Sequence, residues 1–283
     1  MFQHPYVVVA PAETVHVEAW AGNGRPVAVI PGLFGAAFAF RKVTTLLAAG
    51  GYRPIVIEPL GTGSSSRPDK ADYSLAAQSR RIAAVLDSLH SGPVLLLAHS
   101  LGASMAFRLA LDRSDLVDGI VSLEGGPTEE ATTPVFRHAM RYIPWIKVFG
   151  GIDLIRRKIH GMLLASSGDP SWVTDGVVFA YTLGEARNLD ATLKAFLAMS
   201  RAREPAKLVP RLSGLTCPVT LMVGTAHHEG DVPPQEVALL ARTLRSFAVD
   251  SEPGAGHYLQ EERPAAVVSA VAQLAQLAQR ASR

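Results

Sequence analysis

The sequence predicts an α/β protein built on one mostly parallel sheet, and three observations carry that prediction. Short apolar runs at residues 27–30, 55–57, 94–98, 119–123 and 219–223 each end in glycine, proline or a polar residue. Runs of that length without polar alternation are strands buried on both faces, as a sheet covered by helices requires. Helix-period patterns fill the gaps at 38–49, 74–89, 100–112 and 235–244, and a last one follows Pro264, a residue suited to the first helical turn. Near the start, residues 6–10 and 14–20 alternate in polarity across a short proline-containing turn, which reads as an antiparallel hairpin at one sheet edge. Strand followed by helix, repeated, is an α/β layer pattern.

One stretch departs from that rhythm. From 125 to 212 no strand signal appears, while helix patterns recur around 136–149, 152–165, 172–183 and 190–203. A segment that long is not a structureless loop in a compact domain. The expectation is a helical cap at 125–212, set over the carboxyl ends of a sheet whose core comprises 1–124 and 213–283. The start of the cap is basic: Arg137, Arg141, Lys147, Arg156, Arg157 and Lys158 stand against Asp153, with Trp145, Ile146, Val148 and Phe149 interleaved. That pattern reads as a solvated outer face over an apolar inner one.

Composition narrows the function classes. Lys plus Arg is 27 and Asp plus Glu 25, a formal net charge of +2, which excludes the concentrated positive charge of a nucleic-acid binder. A hydrophobic fraction of 48% with 18% charged residues supports a large core and excludes a disordered chain. The single cysteine, Cys217, rules out an internal disulfide framework, fits a reducing compartment, and reads as a small buried residue rather than a nucleophile. The N-terminus shows no basic-then-apolar leader pattern, and no apolar run approaches the roughly 20 residues that span a bilayer. The expected setting is cytoplasmic, without stable membrane insertion. The oligomeric state is left open.

Three segments carry chemistry. In Leu97-Ala98-His99-Ser100-Leu101-Gly102 a strand runs into a small residue, then x-Ser-x-Gly, then a helix. Small residues on both sides of a serine permit a very tight strand-to-helix turn, which lifts the hydroxyl out of the sheet at a helix N-terminus that favours developing negative charge. In Gly254-Ala255-Gly256-His257-Tyr258 a histidine sits on a glycine-rich loop shortly before the last helix, a placement from which a general base can reach such a serine. In Ile30-Pro31-Gly32-Leu33-Phe34-Gly35 a strand-end loop can direct backbone N–H groups at an oxyanion, with Leu33 supplying one donor and Leu101 the other.

These segments, with the Gly61-Thr62-Gly63-Ser64 turn, follow the order found in the α/β-hydrolase superfamily, which the chain resembles from the N-terminal hairpin to the last helix. The resemblance implies an α/β-hydrolase fold with Ser100 as nucleophile and His257 as base. Two departures remove no catalytic atom: Pro31 stands where a histidine usually precedes the oxyanion glycine, and Ala98 replaces the first glycine of the elbow. The third concerns the acid. Members usually carry an aspartate three residues after the glycine that closes the penultimate strand, yet after Gly224 that place is held by His227. Glu229 and Asp231 lie just beyond it. Glu124 closes the 119–123 strand, where some haloalkane dehalogenases, which use an aspartate nucleophile, place their acid. Glu124 is the favoured acid, with Glu229 and Asp231 as alternatives.

No cofactor is expected. A metal site is not expected either, because His227 and His228 are adjacent and no third ligand is spaced for them. The Gly61–Ser66 run lacks the Gly-Lys-Ser/Thr ending of a phosphate loop. The expected activity is serine-dependent hydrolysis of a small carboxylic ester. Cleavage of a C–C bond, lactone or thioester by the same residues is one alternative, and a non-hydrolytic biosynthetic or ligand-binding member of the fold is another, of a different class.

Overall fold

The computed structural model describes residues 6–129 and 151–281. Its strands are β1 (Tyr6–Ala10), β2 (Glu13–Ala19), β3 (Pro26–Ile30), β4 (Arg53–Ile57), β5 (Val94–His99), β6 (Val117–Leu123), β7 (Val219–Gly224) and β8 (Phe247–Glu252). They form one sheet in the order β1-β2-β4-β3-β5-β6-β7-β8. β1 and β2 pair antiparallel, as does β2 with β4, and the remaining pairs are parallel. The fold is the α/β-hydrolase fold expected from the sequence, hairpin included.

Although the central strands are buried throughout, their side chains still divide by alternation. Ala28, Ile30, Ile55, Ile57, Leu96 and Ala98 join one core with α2 (Leu75–Ser88) and α3 (Leu101–Asp112). Val27, Val29, Val56, Leu95 and Leu97 face the other way, onto α1 (Arg41–Ala49) and the C-terminal helix α8 (Pro264–Ala281). A strand with both faces covered needs apolar residues at every position, which explains the unbroken runs in the sequence. β8 had no such run. It is an edge strand with only Phe247, Asp250 and Glu252 partly covered, so its sequence FAVDSE stays mixed.

Between β6 and β7 the described residues are helical: α4 (Gly151–Ala165), α5 (Asp175–Tyr181) and α6 (Leu189–Arg201). The pattern expected around 136–149, with Trp145 and Phe149, lies outside the described residues. Asn188 and Thr174 start α6 and α5 by accepting hydrogen bonds from Ala191 N and Val177 N. The inserted helices meet the carboxyl ends of the strands at several points. Phe196 and Met199 of α6 pack with Leu60 and Tyr73, and with Leu33 after β3. Gly184 approaches the backbone of Gly63 so closely that a Cβ there would lie 2.4 Å from the Gly63 carbonyl oxygen. α7 (Pro234–Thr243) completes the packing beside β8.

Candidate active site

Ser100 sits between β5 and α3 with φ 51° and ψ −119°, a left-handed conformation unfavourable for a residue with a side chain. The turn is held by Ser100 N donating to Leu123 O at 2.8 Å, and by glycines where the chain crowds itself. A Cβ on Gly102 would lie 2.5 Å from the Ile30 carbonyl oxygen and one on Gly125 2.4 Å from that of Ser100. Only glycine fits at either place. Ala98 is fully buried within β5, so the elbow tolerates a methyl on that side. The first turn of α3 leaves backbone N–H groups without intrahelical acceptors, and Leu101 opens that turn. Leu33 and Leu101 line one cavity of about 10 Å³, together with Gly32, Met105 and Met199.

His257 follows β8 on the glycine loop. Its backbone N–H donates to Ser166 O at 2.8 Å, just past α4, so the inserted helices grip the histidine loop directly. Its carbonyl accepts from Nε2 of His99 at 3.0 Å, and the two rings lie 4.7 Å apart. His99 is the residue before the nucleophile; burial lowers its pKa to about 4, so it is the neutral imidazole that ties the histidine loop to the elbow. Burial is also the first cause that drives His257 well below its ordinary value, followed by the neighbouring His99 and His228.

The three candidate acids separate sharply. Glu229 and Asp231 are exposed, whereas Glu124 is 2% exposed. Glu124 holds φ 47° at the end of β6; its N–H donates to Met222 O at 3.0 Å, and its Oε1 accepts from Gly224 N. Burial raises its pKa, partly opposed by the Gly224 N–H and by His228, while Asp231 adds a further upward push. Asp231 borders the same cleft of about 360 Å³ as Glu124, so it acts on the acid from nearby without being buried with it.

His228 was missed. The sequence offered an adjacent histidine pair without a third ligand, but the chain turns His227 outward and buries His228 to 4% exposure. Nε2 of His228 lies 3.4 Å from Glu124 Oε2, and ligand atoms of Glu124, His228 and His257 all fall within 4.8 Å of one another. Glu124, which faces His228 here, comes from the end of another strand far away in the chain. Cys217 is half-buried rather than fully buried, and its thiol is pushed up to about 12, chiefly by that burial.

A strained strand-to-helix serine, a histidine from the loop after the last strand and a buried strand-end carboxylate lie at the carboxyl edge of the sheet, where α/β folds place their ligand sites. The profile of the alpha/beta hydrolase family matches residues 27–270, and the chain belongs to that family as a hydrolase. Among curated relatives, a hydrolase named YugF of Bacillus subtilis is 24% identical over 88% of this chain and 90% of its own length. A haloalkane dehalogenase of Mycobacterium marinum is 26% identical over 50% of each chain, so that match spans half of the relative. A thermophilic esterase from Thermogutta terrifontis superposes with a TM-score of 0.74 at 19% identity, covering 94% of both chains. No helix among the described residues is long and apolar enough to cross a membrane.

Proposed function

We propose that the chain is a serine hydrolase that cleaves a carboxylic ester through an acyl-enzyme intermediate. The observation that carries the reading is Ser100 in its strained elbow at the head of α3, with the His257 loop tied to the same elbow through His99. Ser100 Oγ attacks the ester carbonyl while His257 takes its proton. Leu33 and Leu101 N–H groups hold the oxyanion, the alcohol leaves with the proton returned by His257, and water releases the acyl group by the same sequence. Glu124 is the acid that orients the imidazole and stabilises its charged form; its burial and its backbone donor Gly224 support that role over Glu229 and Asp231. The segment 125–212 acts as a cap that shapes the acyl and alcohol pockets, supported by the grip of Ser166 on His257 and of Glu185 on Gly63.

An ester is favoured because the thermophilic neighbour is an esterase and the elbow carries serine, not the aspartate that dehalogenation uses. The test is turnover of p-nitrophenyl esters of graded chain length by the purified protein and by Ser100→Ala. The wild-type protein should turn over at least one ester, and the variant should lose about 10³-fold or more. Turnover of no ester, or equal turnover by both proteins, rejects the reading.

A further inference from the structure

Three buried polar atoms make no well-aligned hydrogen bond among the described residues and converge at one place: Glu124 Oε2 and His228 Nε2, which face each other at 3.4 Å, and His257 Nδ1. Buried polar atoms without a well-formed hydrogen bond are costly, and three in one cluster can be satisfied together by a common partner. The surrounding contacts define what that partner must be. Nδ1 of His228 lies 2.6 Å from the Ala226 carbonyl oxygen, so it carries the proton and Nε2 presents a lone pair toward Glu124. Glu124 has its other oxygen held by Gly224 N–H, leaving Oε2 as a second lone-pair donor on the same point. A histidine that donates its far N–H to a carbonyl while its near nitrogen faces a carboxylate has the outer support typical of a metal ligand. The distance agrees: ligands bound at about 2.0–2.2 Å around a tetrahedral ion stand roughly 3.3–3.5 Å apart, and His228 Nε2 and Glu124 Oε2 are 3.4 Å apart. With the His257 backbone held by Ser166 and His99, its ring alone has to turn to bring Nδ1, already within 4.8 Å of the other two atoms, onto the same point.

We propose that Glu124, His228 and His257 form a zinc-binding site whose occupancy switches the hydrolase off. Two nitrogens and one oxygen are a donor set that suits Zn²⁺, with the fourth position left to water. The blocking effect rests on the serine-hydrolase reading and follows from proton bookkeeping on one ring. With zinc on Nδ1 of His257, Nε2 keeps its proton and has no lone pair to accept the one from Ser100. Zinc also holds Glu124 away from its orienting role. The ion is thus an inhibitor that competes for the imidazole, not a participant in hydrolysis.

Calorimetric titration of Zn²⁺ into chelator-stripped full-length protein should show one ion per chain. His228→Gln and Glu124→Gln should each weaken binding tenfold or more, and His227→Gln should leave it unchanged because that side chain is exposed. Ser100→Ala should also bind normally, which separates the site from the nucleophile. Labelling of Ser100 by a fluorophosphonate probe should slow at least tenfold with zinc and recover on chelation. The site is overturned if the wild-type chain binds no zinc, or if both variants bind as it does. The blocking effect is overturned if zinc binds and labelling is unaltered. Absence of labelling in stripped protein instead rejects the hydrolase reading, while the titration stands on its own.

Discussion

Glu185 fastens the inserted helices to the core, and its protonation should be visible in stability. The residue is 2% exposed; Oε1 accepts from Gly63 N at 3.3 Å, and Oε2 has no hydrogen-bond partner among the described residues. Burial raises its pKa from 4.5 to about 7, against the pull of Arg67 and the Gly63 N–H, with Glu58 adding to the rise. The unfolded chain releases this proton near pH 4.5 while the folded chain retains it, so between those values the folded state binds more protons and stability falls as pH rises. At about 1.4 kcal/mol per pH unit, the carboxyl contributes fully below pH 4.5 and has lost about 3 kcal/mol above pH 7. Glu185→Gln keeps the acceptor for Gly63 and cannot ionise. Urea unfolding of both proteins at about pH 5 and pH 8 should therefore show the variant gaining up to about 3 kcal/mol on the wild type between the two conditions. Other groups titrate identically in both proteins, so the difference isolates Glu185. Parallel stability profiles would refute the burial account of this residue.

Other consequences concern the site itself. Glu124→Gln should lower kcat by about 10⁴, while Glu229→Gln and Asp231→Asn stay within about tenfold of the parent; steady-state kinetics on one ester decides between them. Gly102→Ala drives a methyl against the Ile30 and Pro31 carbonyl oxygens, at 2.5 and 2.8 Å, and should cost about 2 kcal/mol or more in thermal unfolding. The base must be neutral to work, and His257 is held well below 6.5, so kcat/KM should stay level as pH drops through 6.5 and fall only below it. A pH profile that bends above 6.5 would contradict the burial of that ring.

What the sequence disclosed and what it concealed divide along physical lines. Ser100 and Glu124 each sit just beyond a strand end, marked by where an apolar run stops, whereas His257 was marked by its glycine-rich loop. The elbow glycine Gly102 could be read because its crowding excludes every side chain. β8 could not, because an edge strand has no second neighbour to demand apolar residues. The helix pattern at 38–49 begins in the structure with a 3₁₀ turn at Ala37–Phe40, a distinction periodicity does not make. His228 stayed hidden for a different reason: spacing rules for ligand sets assume short loops, whereas Glu124 comes from another strand. His99 stood next to the motif in plain view, but its bond to the His257 carbonyl depends on a loop that arrives 158 residues later. Glu185 had no sequence signal, since its partner is a backbone N–H brought close by Gly184.

The central claim is that Ser100 is the nucleophile of an acyl-transfer site. Its most direct test is peptide mapping by mass spectrometry after the chelator-treated protein reacts with a fluorophosphonate. The account predicts one adduct per chain, on the peptide carrying Ser100, absent from Ser100→Ala and strongly slowed in His257→Gln. An unmodified Ser100, or an adduct on another residue that persists in Ser100→Ala, would contradict it.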